Sequence, residues 1–251
     1  MSPWDEATRE IHTVIFHPPA NDSWLSEARH RDLRVGMASA VADIVGIMDG
    51  GGLLVFAAGF LRASSGDGCD QLAQSMLELS RKSELGVVFG IDLGQAAVSG
   101  GWAPLEPPPE SYAFACEAGR PLLWPARPST DCASENRVLS MCGMTVALLL
   151  GAEVFNTALR RELERKRPQA ILVLTHAGPT PRWHKALDAL GRIAPTLLVG
   201  ESTTGALPDW AAAPAGWQRV DLGGTPNMTL NSYRPEPLSD SDGEQLETVE
   251  H

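Results

Sequence analysis

The stretch from Arg137 to Gly178 constrains the fold more than any other part of the chain. It contains a short apolar run, Val138 to Met141, followed by Cys142, and a run typical of a buried strand, Ala170 to Leu174. Between them, Thr145 to Arg167 is first apolar and then charged, and we interpret it as a helix. The order strand, cysteine, helix, strand favours an α/β fold. A cysteine at the carboxyl end of a core strand would lie where such folds place reactive groups.

The rest of the chain alternates predicted strands and helices around an antiparallel centre. Apolar runs predict strands at 11–16, 53–56, 86–91, 196–200, 218–222 and 228–233. Helical spacing of apolar residues predicts helices at 33–48, 71–82 and 182–193. Tyr112 to Cys116 and Arg120 to Trp124 resemble the two strands of a hairpin. This order predicts a mixed sheet system covered by helices rather than a purely parallel, doubly wound sheet.

Length and charge predict one folded domain and a tail. A chain of 251 residues fits one large domain, which we expect over residues 1–235. The last sixteen residues, 236–251, contain no lysine or arginine and predict an acidic disordered tail. Their six acidic residues are Glu236, Asp240, Asp242, Glu244, Glu247 and Glu250. The net charge of −11 is therefore about −5 for the body, which gives no indication of nucleic-acid binding.

Several classes of site and location are disfavoured by simple patterns. No apolar run approaches the ~20 residues of a membrane helix, and the start lacks the features of a signal peptide, so we expect a cytoplasmic protein. The cysteines show no Cys-x-x-Cys spacing, and no histidine pair accompanies them, so neither a metal site nor a disulfide framework is expected. Gly90 to Gly94 and Val220 to Thr225 resemble ATPase phosphate loops but lie in the wrong context. We therefore expect no cofactor.

Four segments, in their order and spacing, resemble the nitrilase, or carbon–nitrogen hydrolase, superfamily. They are Leu53 to Leu61, Arg137 to Gly143, Ala170 to Gly178, and Leu222-Gly223-Gly224-Thr225. The resemblance covers roughly residues 10 to 235. It implies an α-β-β-α sandwich and assembly as a homodimer or higher homo-oligomer.

The chemistry of that family needs a cysteine nucleophile, a glutamate base and a lysine that stabilises the oxyanion. The resemblance assigns Cys142 to the nucleophile. It places Ala57-Ala58 where the family has Pro-Glu, with Phe60 in the following aromatic-containing loop. No lysine lies in the expected region, although Arg127 or Arg120 could supply a positive charge there. Glu110, Glu117 or Glu135 could in principle replace the missing carboxylate.

Two hypotheses about function follow from these residues. The first is a catalytically impaired nitrilase-like protein that binds a small molecule or a protein partner. The second is an active thiol amidase or acyltransferase that cleaves a non-peptide C–N bond. In it, Cys142 is the nucleophile and His176, at the end of a core strand, is the base. We favour the first, because two of the three catalytic groups are not found, and we interpret Cys69, Cys116 and Cys132 as structural.

Overall fold

A computed structural model of the chain describes residues 10–17, 27–49, 52–94, 97–98, 101–102, 110–126, 137–176, 181–200 and 212–236. The predicted tail beyond Glu236 lies outside these residues, as do Arg127, Cys132 and Glu135. Within the described ranges, none of the helices combines the length and the apolar character that a bilayer crossing requires.

The described residues contain helices of very different length and many short strands. The helices are α1 (Glu27–Asp49), α2 (Gly66–Ser83), α3 (Thr157–Lys166) and α4 (Pro181–Gly191), and a 3₁₀ helix (Gly151–Phe155) precedes α3. The first strands are β1 (Glu10–Phe16), β2 (Gly52–Phe56), β3 (Leu61–Ala63), β4 (Gly86–Leu93), β5 (Ala97–Val98), β6 (Gly101–Trp102), β7 (Glu110–Glu117) and β8 (Arg120–Ala126). The later strands are β9 (Val138–Met141), β10 (Met144–Leu150), β11 (Ala170–Leu174), β12 (Thr196–Val199), β13 (Trp217–Thr225) and β14 (Met228–Pro235).

The larger sheet has the strand order β13-β14-β1-β2-β4-β7-β8, and β3 extends it beside the end of β4. Strands β1, β2 and β4 are parallel to one another, whereas β14 and β7 run antiparallel to their neighbours. The predicted hairpin of β7 and β8 is confirmed. Strand β2 is buried along its whole length because both faces of this sheet are covered, which explains its uninterrupted apolar sequence.

The smaller sheet has the order β12-β11-β10-β9 and corrects one prediction. Strands β10, β11 and β12 are parallel, and β9 forms an antiparallel hairpin with β10. The predicted helix from Thr145 to Arg167 is therefore wrong in its first part, because Met144–Leu150 is a strand and the helix begins at Thr157. A short apolar run of this kind fits a buried strand as well as a buried helix, so periodicity alone could not separate the two.

Three apolar layers hold the molecule together. One lies between α1, α2 and the larger sheet and contains Phe16, Phe56 and Phe60. A second lies between the two sheets and contains Leu53, Leu148 and Leu172. The third lies between the smaller sheet and the helices α3 and α4. This arrangement of helix, sheet, sheet and helix confirms the predicted α-β-β-α sandwich.

Candidate functional site

Cys142 lies in a tight turn, not at a junction between strand and helix. Met141 ends β9, Met144 begins β10, and the two pair across the turn formed by Cys142 and Gly143. Both turn residues have positive φ, 52° for Cys142 and 73° for Gly143, as a type I′ hairpin requires. The interpretation of this segment as strand, cysteine and helix is therefore wrong.

The thiol of Cys142 is enclosed by the amino ends of two strands of the other sheet. Its Sγ donates to the carbonyl oxygen of Gly52, the first residue of β2, at 3.2 Å. A Cβ at Gly86, the first residue of β4, would collide with the sulfur. The backbone N–H of Cys142 donates to Glu117 Oε1 at 2.8 Å, and the residue is 2% exposed. In this position, Cys142 packs the β9–β10 hairpin against the larger sheet.

The structure does not bring Cys142 and His176 together. Strands β10 and β11 are parallel, with Leu150 opposite Leu174. Cys142 precedes β10, whereas His176 follows the end of β11. Because a strand rises about 3.3 Å per residue, the two side chains lie roughly 25 Å apart, at opposite ends of the sheet. The predicted catalytic pair of Cys142 and His176 is therefore wrong.

The strand that does lead into a helix is β10, and it ends at Leu150. The 3₁₀ helix starts at Gly151, and Leu150 is buried in the layer between the sheets. The N–H of Leu150 donates to Glu153 Oε2 at 2.8 Å, and Glu153 Oε1 forms an ion pair of 2.6 Å with Arg137. Both ionic side chains are buried. This strand end therefore presents a leucine, and the nearby carboxylate is already paired.

The turn after β2 contains the two alanines that replace Pro-Glu. Ala58 is 1% exposed and belongs to the apolar layer between the sheets. The turn lies so close to β4 that a Cβ at Gly90 would be 2.6 Å from the Ala58 Cα. Phe60 is buried on the other face of the sheet and stacks on Phe56 with ring centroids 4.5 Å apart. Phe60 therefore lies in the helix-side core.

Beside this turn, three polar side chains meet at the carboxyl ends of β4 and β11. His176 Nε2 lies 2.9 and 3.0 Å from the two carboxylate oxygens of Asp92, on β4. Ser111, near the start of β7, donates from Oγ to Asp92 Oδ1 at 2.8 Å. The Asp92 side chain is 1% exposed and that of His176 is 49% exposed. We call these three residues the His–Asp–Ser cluster.

Gly59 makes room for the His–Asp–Ser cluster. Its φ of +67° is a left-handed conformation that glycine adopts without strain. A Cβ at Gly59 would lie 2.6 Å from Asp92 Oδ2 and 2.7 Å from His176 Cδ2. The turn that carries Ala58 is therefore packed directly against the buried carboxylate and the imidazole.

Sequence reasoning found one member of this cluster and missed two. His176 was recognised because it follows a core strand. Asp92 lies within Gly90 to Gly94, which had been considered only as a phosphate loop, and Ser111 gave no signal. An aspartate within an apolar strand run could have been the signal, because a buried carboxylate requires a partner.

The other described thiols are buried and structural, as expected. Burial, and then the nearby Asp70 charge, raise the pKa of Cys69 to about 11. Burial raises the pKa of Cys116 to about 12, partly offset by a hydrogen bond with Ser80. Thiols with such pKa values are almost entirely protonated at neutral pH and are poor nucleophiles. No group of three or more metal-binding side chains occurs in the described part of the chain.

Comparison with solved structures identifies the architecture. The chain is similar to an amidase of the nitrilase superfamily from Nesterenkonia sp. AN1. A cysteine-to-serine variant of that amidase is 14% identical, with a TM-score of 0.59 and 96% of each chain covered. A structure with acrylamide added at its active-site cysteine is 14% identical, with a TM-score of 0.59 and coverage of 94% of this chain and 96% of the amidase. The fold is that of the nitrilase superfamily.

The resemblance seen in the sequence is thus confirmed at the level of the fold. A third structure, the amidase in complex with butyramide, is 16% identical, with a TM-score of 0.59 and coverage of 90% and 91%. No protein-family profile and no curated protein matches this sequence. The nitrilase fold is therefore shared at a sequence identity too low to carry the activity with it.

Proposed function

We propose that this protein is a nitrilase-fold binding protein that has lost the thiol chemistry of the family. The proposal rests on which residues occupy the end of β10. The strand leads into a 3₁₀ helix there, and the residues at the junction are Leu150 and Gly151. Ala58, in the turn that resembles Pro-Glu, belongs to the same apolar layer as Leu150. Neither residue can act as a nucleophile or a base.

The His–Asp–Ser cluster supports a binding role for this end of the sandwich. Its imidazole is half exposed, and the buried Asp92 carboxylate holds it in place. An ionised carboxylate only accepts hydrogen bonds, so the contact with Asp92 favours the tautomer of His176 that carries the proton on Nε2. Pocket sites commonly combine apolar walls with a few such fixed polar groups. We infer that His176 donates a hydrogen bond to, or accepts one from, a small-molecule ligand and so fixes its orientation. The second version of the proposal is that the protein binds a protein partner.

The active thiol amidase is the alternative, and the geometry argues against it. A nucleophile and its base must approach within about 3 Å, either in the resting enzyme or during the reaction. No rotation of the side chains brings Cys142 and His176 across the length of β10. The alternative would need a different base beside Cys142. Glu117 contacts this residue, but it accepts from the backbone N–H, whereas the thiol donates to the carbonyl oxygen of Gly52.

Acrylamide and butyramide are suitable probes, because the structurally similar amidase has been captured with both. We expect no ammonia release from either amide. In native protein treated with acrylamide, we expect no adduct at Cys142 by peptide mass mapping. Weak, saturable binding of butyramide should shift the NMR signals of the His176 imidazole. Peptide mapping is needed because Cys132 could react independently.

Two variants make the result decisive. Cys142→Ala should leave the background rate of ammonia release unchanged. His176→Gln should abolish the butyramide-dependent shifts in the NMR signals of the other two cluster residues, Asp92 and Ser111. Ammonia release that disappears in Cys142→Ala would refute the proposal and favour the thiol amidase. If butyramide perturbs no residue of the cluster, the small-molecule form of the proposal is wrong.

A further inference from the structure

A groove on the outer helix layer, between α3 and α4, has four arginines among its eight described lining residues. It has a volume of about 680 Å³ and runs along the exposed sides of both helices. Its charged lining residues are Arg160, Arg161, Glu164, Arg167 and Arg192. Among the described residues, these four guanidinium groups have no side-chain ion pair, whereas the neighbouring Lys166 pairs with Glu162 at 2.8 Å. The chain has a net charge of −11, so this arginine groove is a positively charged region on an acidic protein.

The arginine groove lies next to a second, more apolar cavity. Arg192 lines both spaces. The second cavity has a volume of about 950 Å³ and lies between α4, the start of β12 and the segment before β13. Its apolar lining residues are Leu187, Pro195, Leu198, Pro214 and Ala215. The two cavities therefore adjoin at Arg192, and we call them together the path from an apolar to a positively charged surface.

The chain itself arrives at the apolar end of this path. Glu236, the last described residue, donates its backbone N–H to the carbonyl oxygen of Gly216 at 2.9 Å. Gly216 directly follows Ala215, which lines the apolar cavity. Glu236, which directly precedes the segment 237–251, thus lies close to that cavity. The segment begins Pro237-Leu238, and it contains five carboxylate side chains and no lysine or arginine.

We propose that the acidic segment 237–251 binds in this path, with Leu238 at the apolar cavity and the carboxylates at the arginine groove. Fifteen residues span up to about 50 Å when extended, whereas the ten-residue helix α3 is only about 15 Å long. Arginine suits this role because its planar guanidinium can bind a carboxylate through two hydrogen bonds. The single carboxylate in the groove, Glu164, opposes four arginines. Because the segment is tethered, its effective concentration at the groove is on the order of millimolar.

Hydrogen exchange of the full chain, read by mass spectrometry, tests this proposal. The reference is a free synthetic peptide of residues 237–251 under the same conditions. We expect the amides of 237–251 in the full chain to exchange at least about threefold more slowly than in the peptide at low salt. In about 1 M NaCl, where the screening length is only about 3 Å, the difference should disappear. The protection should not depend on protein concentration, since the contact is within one chain.

Matched charge-reversal variants distinguish binding at the arginine groove from a general effect of the protein's net charge. Arg161→Glu with Arg192→Glu removes two exposed groove arginines and should return the segment to the exchange rate of the free peptide. Arg165→Glu with Lys185→Glu makes the same change in net charge on α3 and α4, outside both cavities, and should keep the protection. Equal effects of the two double variants would overturn the proposal. So would exchange at the peptide rate in the unaltered chain, or protection that grows with protein concentration.

Discussion

At the scale of single residues, Cys142 shows how burial and backbone conformation together decide a role. A cysteine next to a glycine after an apolar run is compatible with a nucleophile and with a turn. The positive φ of Cys142 and Gly143 and the contact of the thiol with Gly52 identify it as a packing residue. These contacts join residues about ninety positions apart in the sequence, so no local pattern could reveal them.

The packing of Cys142 leads to a prediction about Gly86. Gly86→Ala should lower the free energy of unfolding by about 2–3 kcal/mol, because the new methyl group collides with the sulfur. In the double variant with Cys142→Ala, the remaining close neighbours are the flexible ends of Leu53 and Met141, both at 3.2 Å. The double variant should therefore be more stable than Gly86→Ala alone. Urea unfolding of the four proteins measures the coupling, and additive losses would contradict it.

At the scale of elements, the layered alternation of strands and helices could be predicted, but the boundary between β10 and α3 could not. Hydrophobic runs identified nearly every strand of both sheets. The run Thr145 to Leu150 was assigned to the following helix, because a short apolar run fits a buried helix as well as a buried strand and no proline separates it from α3. The boundary is instead set by a local side-chain contact. Asn156 Oδ1 accepts hydrogen bonds from the N–H groups of Ala158 and Leu159, at 3.0 and 3.1 Å, and starts α3.

This cap leads to a prediction about the stability of the element. Asn156→Ala should lower the free energy of unfolding by about 1 kcal/mol, because two N–H groups of the first turn lose their acceptor. Asn156→Asp keeps an acceptor and adds a negative charge near the positive end of the helix dipole, so it should be close to neutral or slightly stabilising. Chemical unfolding of the three proteins tests this order. A loss in Asn156→Asp as large as that in Asn156→Ala would show that the cap is not the cause.

At the scale of the whole molecule, the sandwich was predictable and the site was not. The sandwich follows from hydrophobic runs and their order, which are local properties. The His–Asp–Ser cluster joins Asp92 and His176, which are 84 residues apart and meet only because their strands end at the same edge of the sandwich. The expected homo-oligomer, the cytoplasmic location and the role of Arg127 stay predictions.

Buried charge in the helix-side layer leads to a prediction about pH. Burial, and then the charges of Arg34 and Arg62, lower the pKa of His30 from 6.5 to about 3. The unfolded chain therefore takes up a proton at this residue below about pH 6.5, while the folded protein takes it up only near pH 3. Between these values the unfolded state binds more protons, so stability falls as the pH falls. From pH 7.5 to 5.0, we expect His30 to contribute a loss of about 2 kcal/mol.

His30→Gln isolates this contribution, because glutamine is polar and does not titrate. The readout is the difference in free energy of unfolding between pH 7.5 and pH 5.0, so a uniform loss of stability in the variant does not matter. The variant should lose about 2 kcal/mol less than the unaltered protein over this range. Equal losses in the two proteins would mean that the pKa of His30 is the same in the folded and unfolded states.

Because the Cys142 thiol is enclosed between the two sheets, its accessibility to a thiol reagent reports the separation of the sheets. A reagent can reach it only after the β9–β10 hairpin lifts away from the amino ends of β2 and β4. When such opening is rapid and rare, the labelling rate is proportional to the population of the open form. The labelling rate of Cys142, the residue that first suggested a reactive centre, thus reports the population of molecules in which the two sheets have separated.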